Sequence, residues 1–244
     1  MASHDFRTPR LFLPSDLAAG AEPGLERNQT NYLQNVLRLG AGDAVLVFNG
    51  RDGEWRARLA GEKRRLRLVV EGRTRPQTSA GNLNYAFAPL KHARLDYMVQ
   101  KSVEMGAAVL APVLTQHTQV ARVNLERMRA NVIEAAEQCG VLAVPRVDEP
   151  MPFDRWLAAL GDDQVVVFCD EEAEVADPFA ALALAPDGPT VLLVGPEGGF
   201  AEAERRALLE RPSVQLSLGP RILRADTAAV AALALVQAVR GDWH

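Results

Sequence analysis

The chain of 244 residues is poor in cysteine and histidine. Its two cysteines, Cys139 and Cys169, lie in separate segments, which argues against both a disulfide framework and a thiolate metal site. The four histidines are scattered without the spacing of metal ligands, so we expect no metal centre. The sequence therefore indicates neither a disulfide-stapled module nor a zinc-binding domain.

Long apolar runs are also missing. No stretch approaches the roughly 18 residues of a membrane span. The opening residues, MASHDFRTPRLFLP, lack the apolar core of a signal peptide. We therefore expect a cytoplasmic protein without a membrane segment. The composition, 48% hydrophobic and 24% charged, is that of a globular protein with one large or two modest domains.

The net charge of −4 is distributed unevenly. Residues 1–75 carry a net charge of +4, and residues 76–244 carry −8. A basic N-terminal part on an acidic body indicates a local surface for a polyanion. The alternative is that the basic run EKRRLRL is only the solvated edge of a strand.

Residues 1–75 have the pattern of a small β-barrel domain. The stretches 10–14, 44–60 and 65–72 alternate or are dense in Val, Leu and aromatic residues, and NGRDG within the second predicts a hairpin turn. Residues 28–43 predict a short helix that stops at Gly40. The polar stretch 73–82 predicts a linker.

Residues 76–244 alternate between strand and helix patterns. We expect strands at 83–90, 107–114, 164–170, 190–195 and 214–219, and helices at 91–106, 124–140, 153–160, 177–184, 201–210 and 225–241. This alternation predicts an α/β fold with a mostly parallel sheet covered on both faces. Ligands of such sheets bind at the carboxyl ends of the strands. That rule indicates loops around Pro89, Cys169–Asp170, Gly195–Phe200 and Leu218–Arg224.

Two of these loops have a related composition. In GPEGGF (195–200) the glycines allow close backbone approach to a ligand, and Pro196 fixes part of the turn. In SLGPRILRADTAA (217–229) a second Gly-Pro turn is followed by Ile222 and Leu223 between two arginines. Asp226 or Thr227 is expected to cap the helix that follows. Composition alone does not name the ligand of these loops.

The paired motifs LLVGPEGGFAEAE and LSLGPRILRADTAA resemble the ribosomal small-subunit methyltransferase E family of the SPOUT superfamily. The stretches RTPRLFLP and YLQNVLRLGAGD resemble its N-terminal PUA-like barrel, and QKSVEMGAAVLAPVLTQHT and AAEQCG resemble its catalytic domain. The resemblance covers most of the chain. It implies a PUA-like RNA-binding β-barrel at 1–75 and a methyltransferase domain with a deep trefoil knot at 76–244.

The resemblance also implies a reaction. Family members transfer the methyl of S-adenosylmethionine to N3 of one uridine in 16S ribosomal RNA, leaving S-adenosylhomocysteine, and they act as homodimers. The substrate is then 16S rRNA, within the 30S subunit or free. Cofactor contacts are expected from both Gly-Pro loops and from the loop after the third strand of the domain. The residues are Cys169, Asp170, Gly195, Pro196, Gly198, Gly199, Leu218, Gly219, Ile222 and Leu223.

Several of these positions carry an alternative interpretation. Asp170 is either a ribose partner or an exposed loop acid. We interpret Cys169 as a hydrophobic strand-end residue and not as a nucleophile, because N3 chemistry needs no covalent adduct. The uracil N3 proton must leave, so a group that stabilises the uracil anion is required. Arg224 is the candidate, unless it contacts a phosphate or pairs with Asp226.

Glu197 and Glu137 are the candidate bases. Their alternatives are a cap for the next helix and a surface helix residue. Lys101 is placed on the substrate side by the resemblance, or it only pairs with Glu104. Phosphate contacts that do not read sequence are expected from basic residues. These are Arg7, Arg10, Arg38, Lys63, Arg64, Arg65 and Arg67, with Lys101.

The chain departs from the family pattern at two places. Val141 stands where members usually carry a basic residue after EQCG, and Arg146 is the nearest basic residue. Asp226 replaces a glutamate that many members have, which keeps the charge but shortens the reach. Two other functions stay open: a methyltransferase acting on tRNA or another base, and a non-catalytic RNA-binding protein of the small subunit.

Overall fold

The structure is a computed structural model that describes residues 5, 7–61, 65–120 and 122–243. Its contacts divide the chain into two compact units. Unit 1 consists of Met1–Ser79 and Ala136–Val144, and unit 2 of Ala80–Ala135 and Pro145–His244. The division differs from the predicted one at residue 75 because the stretch Ala136–Val144 joins the N-terminal unit.

Unit 1 is built on a four-stranded sheet with the order β1-β2-β3-β4. Its strands are β1 (Arg10–Phe12), β2 (Ala44–Phe48), β3 (Glu54–Ala60) and β4 (Arg67–Arg75). Strands β2 and β3 form the predicted antiparallel hairpin, whereas β1 runs parallel to β2. Within the described part of unit 1 no pairing of β4 with β1 closes the sheet, so the barrel stays a prediction. The predicted linker begins too early, since β4 continues to Arg75.

The helical segment of unit 1 ends differently from the prediction. Helix α1 (Arg27–Asn31) continues into a π-helical turn over Tyr32–Val36, and the predicted stop at Gly40 is therefore wrong. After this turn Arg38 adopts a φ of 58°, the left-handed region that side chains disfavour.

Alternate residues of the sheet build the core of unit 1. The core cluster of this unit takes alternate residues from three strands, as period-two alternation predicts: Val45 and Val47 of β2, Ala57 and Leu59 of β3, and Leu68 and Val70 of β4. Two hydrogen bonds connect the stretch Ala136–Val144 to the N-terminal residues of this unit. The Glu137 carboxylate accepts the Phe12 N–H at 2.8 Å, and the Arg75 guanidinium donates to the Gly140 carbonyl at 2.9 Å.

Unit 2 contains a seven-stranded sheet in which every pairing is parallel. Its order is β11-β9-β10-β5-β6-β7, and β8 also pairs with β6. The strands are β5 (Leu83–Phe87), β6 (Val109–Leu114), β7 (Arg146–Val147), β8 (Met151–Pro152), β9 (Val165–Cys169), β10 (Thr190–Val194) and β11 (Ser213–Leu216). The predicted parallel α/β architecture is confirmed. The two-residue strands β7 and β8 were not predicted.

Helices pack on both faces of this sheet. They are α2 (His92–Glu104), α3 (Leu125–Cys139), α4 (Phe153–Ala159), α5 (Pro178–Ala183), α6 (Glu202–Leu209) and α7 (Ala225–Arg240). Ala86 lies in a core cluster with residues of α4 and α6. Its neighbour Tyr85 points to the opposite face, where its hydroxyl donates to the Met98 sulfur of α2 at 3.1 Å. No helix in the described ranges is long and apolar enough to cross a membrane.

Candidate functional site

A large pocket opens at the carboxyl ends of three neighbouring strands of unit 2. Strands β11, β9 and β10 are adjacent and parallel, so their following loops meet at one edge of the sheet. The loops Cys169–Glu172, Gly195–Phe200 and Ser217–Arg224 line a cavity of 610 Å³ together with the start of α7. This volume is in the range of small-molecule sites, about 300–1,000 Å³.

The loop Gly195–Phe200 is a tight turn held from several sides. The Gly199 N–H donates to the Pro196 carbonyl at 2.9 Å. Nδ1 of His117 lies 3.1 Å from the Gly198 carbonyl and 3.2 Å from the Gly199 carbonyl. Because both partners are acceptors, Nδ1 carries the proton in this arrangement. His117 therefore anchors the loop from the segment that follows β6.

The glycines of this loop differ in what a side chain at each position would meet. A Cβ on Gly195 would lie 3.0 Å from the Phe200 ring, which packs edge-on against Phe168 with centroids 6.0 Å apart. A Cβ on Gly198 would lie 3.4 Å from Cβ of His117. Gly199 has a φ of 68° and open space beside its Cα. Close packing thus explains Gly195, and backbone conformation explains Gly199, whereas the Gly198 contact is of ordinary length.

Glu197 does not cap the helix after its loop. Its carboxylate pairs with Arg94 of α2 at 3.2 Å, and the side chain is about half exposed. The cap is supplied by Glu204, whose carboxylate accepts the Ala201 N–H at 2.9 Å and the Gln116 N–H at 2.8 Å. The capping interpretation of Glu197 is therefore wrong.

Asp170 is held inside the pocket wall and is not an exposed loop acid. Its side chain is 8% exposed and accepts hydrogen bonds from Arg205 at 2.9 Å, Gln215 at 2.8 Å and the Glu172 N–H at 3.0 Å. Burial alone would raise the pKa of Asp170, but these donors, with Gln215 the strongest, hold it below its usual value. The carboxylate stays charged and rigidly placed.

Cys169 is a partly buried thiol in the wall of the pocket. Burial, with a smaller contribution from the Asp170 charge, raises the pKa of Cys169 to about 12. A thiol of this kind is a poor nucleophile near neutral pH, in agreement with its interpretation as a strand-end hydrophobic residue. Among the described residues no group of three or more His, Cys, Asp and Glu is arranged to hold a metal.

The third loop brings two free cations to the pocket. Arg221 and Arg224 are exposed pocket-lining residues, and neither side chain forms an ion pair or a hydrogen bond within the described ranges. Arg224 is the N-cap residue of α7, so the predicted caps Asp226 and Thr227 are wrong by two to three positions. Asp226 instead accepts the Thr227 N–H at 2.9 Å. Between the arginines, Ile222 is 88% exposed.

All ten residues predicted to contact a cofactor line this pocket, and so do Arg224 and Glu197. The RNA methyltransferase domain model matches residues 77–237, and the RNA methyltransferase PUA domain model matches residues 25–71. The ribosomal RNA small subunit methyltransferase E of Synechocystis is 31% identical over 240 residues, which is 94% of this chain and 77% of the relative. The chain belongs to the ribosomal RNA small subunit methyltransferase E family.

Other members of the family agree with this assignment. The Bacillus subtilis protein of the same name is 30% identical over 231 residues, covering 88% of this chain and 90% of that protein. A crystal structure of the family member from Neisseria gonorrhoeae, bound to S-adenosyl methionine, is 31% identical. It superposes with a TM-score of 0.84 and covers 98% of this chain and 100% of that one.

Most of the basic residues predicted for RNA lie outside the pocket. Arg7, Arg38, Arg65 and Arg67 are exposed in unit 1, whereas Lys63 and Arg64 lie outside the described residues. Arg67 pairs with Glu22 at 2.8 Å. Lys101 pairs with Glu104 at 2.7 Å, which agrees with the alternative interpretation of Lys101 as an ion-pair residue. Its ammonium lies 5.6 Å from the Tyr97 ring centroid.

Arg10 requires a correction, because it is not a surface residue. It is 7% exposed, and its guanidinium donates to the buried Glu54 carboxylate at 3.1 Å. The side chain is therefore committed to the interior of unit 1 and is not available to a phosphate. Glu137 does not line the pocket either; it belongs to unit 1 with Val141, in the stretch Ala136–Val144.

The sequence patterns missed four residues that hold the pocket in shape. Arg94, His117, Glu204 and Arg205 lie on elements remote from the pocket loops along the chain, or on the helix behind them. One signal was available for His117, because it stands three residues after β6 ends at the same edge of the sheet. The other three are ordinary charged helix residues in the sequence.

Proposed function

We propose that this protein methylates N3 of a specific uridine in 16S rRNA, with S-adenosylmethionine as the methyl donor. The observation that carries the proposal is the single pocket lined by both Gly-Pro loops and the Cys169–Glu172 loop. The Neisseria relative, of matching fold, binds S-adenosyl methionine. Family membership supports ribosomal RNA as the substrate class.

The pocket residues suit this cofactor chemically. Adenine and ribose need an apolar slot with backbone donors and acceptors, and Leu218, Ile222 and Leu223 with the glycine loop provide both. The Asp170 carboxylate is already occupied by three donors, so a ribose contact would use its remaining acceptor capacity. When bound, S-adenosylmethionine supplies an electrophilic methyl group.

Arg224 is proposed to stabilise the uracil anion. Loss of the N3 proton places negative charge on the two carbonyl oxygens of uracil, and a guanidinium can donate to either of them. Arg224 lines the pocket, and its side chain has no partner among the described residues, so no existing ion pair has to break before it contacts a ligand. Arg221, equally free, is a second cation near the pocket mouth.

The identity of the base stays a prediction. Glu197 lines the pocket, but its carboxylate is engaged by Arg94, which would have to be shared or displaced during proton transfer. The Glu137 carboxylate accepts a hydrogen bond from the Phe12 N–H in unit 1. Of the two candidates, the geometry favours Glu197, because it alone belongs to the pocket.

The remaining features are proposed on the family resemblance. They comprise the trefoil knot, the PUA-like barrel closure, the homodimer and the cytoplasmic location. RNA contacts are proposed for the exposed residues Arg7, Arg38 and Arg65 of unit 1 and for Lys101 of unit 2. Each such contact would strengthen binding in a salt-dependent manner without reading sequence.

The test is transfer of a labelled methyl group to three substrates: 30S subunits lacking the modification, naked 16S rRNA and tRNA. We expect label in 16S rRNA, mapped to N3 of one uridine. Label in tRNA or at another base would replace the proposed target. Binding of RNA without transfer to any substrate would favour the non-catalytic alternative.

A pocket variant tests the role of Arg224 separately. Arg224→Ala should lose about 10²–10³-fold in transfer rate, the usual effect of removing one charge-stabilising donor. Calorimetry should show nearly unchanged S-adenosylmethionine affinity. Arg224→Lys, which keeps the charge but loses the fork of donors, should recover part of the rate. Full activity of Arg224→Ala would refute the assignment.

A further inference from the structure

A second cavity lies at the same edge of the unit 2 sheet. Its volume is 140 Å³, and it is lined by the residues that follow β5, by α2 and by the approach to α3 and its first turn. The lining residues used below are Leu90, Lys91, Asp96, Val99, Arg122, Arg127 and Met128. We call this the β5–β6 cavity, because the segments after β5 and β6 both reach it.

The β5–β6 cavity has an apolar floor and a positive rim. Leu90, Val99 and Met128 are at most 3% exposed and form the floor. At the rim, Lys91 and Arg122 are exposed, and neither side chain forms a hydrogen bond or ion pair within the residues that the structure describes. Two side-chain cations without partners therefore converge on one small concavity.

Asp96 is the one acid among the described residues that line the cavity, and its charge is neutralised locally. Arg127 donates to both oxygens of Asp96, with a shortest distance of 2.6 Å, and Asn131 donates to Asp96 at 2.8 Å. The Arg127 side chain is still 64% exposed, so part of its guanidinium faces outward. The lining groups carry a net charge of two positive units, which favours an anionic ligand.

The cavity lies beside the proposed methylation pocket. Strand β5 neighbours β10, whose loop carries the glycines, and adjacent strands are about 4.8 Å apart. The Arg94–Glu197 ion pair joins α2, which lines the cavity, to the glycine loop, which lines the pocket. A polyanion whose reacting base enters the pocket would run its backbone across this edge.

We propose that the β5–β6 cavity binds a backbone phosphate of the RNA substrate, next to the nucleotide being methylated. Lys91 contributes a point charge, and Arg122 contributes a fork that matches two phosphate oxygens. A phosphate contact of this kind fixes the position of the strand and does not read its sequence. The inference rests on the proposed function only in taking RNA as the substrate.

The test compares Lys91→Gln/Arg122→Gln with the wild-type chain in binding 16S rRNA over a range of salt concentrations. Loss of contacts to a single strand lowers the slope of log K against log salt by about 0.7 per phosphate neutralised. We expect a slope lower by about 0.7 and about tenfold weaker binding at low salt. S-adenosylmethionine affinity should be unchanged.

A matched control separates this site from general surface charge. Arg155 of α4 is also an exposed arginine without a partner in the described ranges, and it lines neither cavity. Arg155→Gln should leave affinity and slope close to wild type. Equal losses in the control, or an unchanged slope in the double variant, would overturn the inference.

Two further measurements are needed. The first separates free phosphate from RNA as the ligand of the cavity, and the second separates failure of the cavity inference from failure of the proposed function. Calorimetric binding of inorganic phosphate that the double variant loses, with RNA affinity unaffected, would assign the cavity to free phosphate and overturn an RNA role. If the wild-type chain methylates RNA while the double variant binds RNA normally, the cavity inference alone fails. If the double variant loses RNA binding but the wild-type chain transfers no methyl group, the proposed function alone fails.

Discussion

Glu54 is the buried centre of an ion cluster whose removal should destabilise unit 1. It is 2% exposed, and its carboxylate accepts from Arg10 at 3.1 Å, from Arg75 at 2.7 and 3.0 Å and from Thr74 at 2.8 Å. The side chains of Arg10 and Arg75 are 4% and 11% exposed. Glu54→Gln keeps the shape but removes the charge that both guanidiniums face.

The expected cost follows from the charges left behind. Breaking a buried ion pair by removing one partner costs about 3–5 kcal/mol, because the other charge stays buried without compensation. Here two guanidiniums lose their partner, although the Gly140 and Asp5 carbonyls still accept from them. We therefore expect a loss of about 3 kcal/mol or more in the free energy of unfolding of unit 1.

Hydrogen exchange of β2 and β3 amides measures this loss for unit 1 separately from unit 2. A loss of 3 kcal/mol corresponds to about a hundredfold faster exchange, since about 1.4 kcal/mol is a factor of ten. Glu71→Gln is the matched control, because Glu71 pairs with Arg58 at 2.6 Å but is 37% exposed. The control should cost less than about 1 kcal/mol. Equal effects of the two substitutions would refute the reasoning.

The same cluster predicts an acid dependence. Burial would raise the pKa of Glu54, but hydrogen bonds from Arg75 and Thr74 and the charges around it lower it overall. A carboxyl with a lowered folded pKa stabilises above its unfolded pKa, about 4.3, and this contribution is lost as pH falls through the folded value. Protection of β2 and β3 should thus be constant near neutrality and decline in acid, and Glu54→Gln should lack this component.

Three further predictions concern the pocket. Gly195→Ala should weaken S-adenosylmethionine binding by about tenfold, because overpacking against Phe200 costs about 1–3 kcal/mol; calorimetry measures it, and unchanged affinity would contradict the packing role. His117→Ala should raise the dissociation constant of S-adenosylmethionine by about fivefold, as expected for the loss of one hydrogen bond. His117→Asn retains a donor and should restore the affinity. Equal losses in the two variants would contradict the role of His117 as an anchor of the loop. With its pKa raised to about 12, Cys169 should resist iodoacetamide at pH 8 in peptide mapping, and rapid alkylation would contradict the raised pKa.

Local patterns predicted the elements that build the fold. The hairpin of β2 and β3 followed from NGRDG between two alternating runs, and the parallel sheet followed from the strand–helix alternation. The strand-end rule correctly selected three loops of one pocket because β9, β10 and β11 are sheet neighbours. The fourth loop, near Pro89, instead leads into the β5–β6 cavity through Leu90 and Lys91.

Contacts between distant segments could not be predicted in the same way. Phe12 and Glu137 are 125 positions apart, and Arg75 and Gly140 are 65 apart, so no local period connects them. The burial of Arg10 could not be predicted for the same reason, because its partner Glu54 lies on another strand. A basic residue in a basic segment gave no sign that it would be neutralised inside the unit.

The stretch Ala136–Val144 has a consequence for synthesis on the ribosome. Unit 1 includes this stretch, so its contacts with residues 1–79 can form only after residue 144 has been synthesised. At about 5–20 residues per second, the interval between these residues lasts about 3–13 s. During that interval Arg75 lacks the Gly140 carbonyl and the Phe12 N–H lacks the Glu137 carboxylate. The nascent N-terminal segment is then an incomplete basic chain beside ribosomal RNA, a polymer of opposite charge.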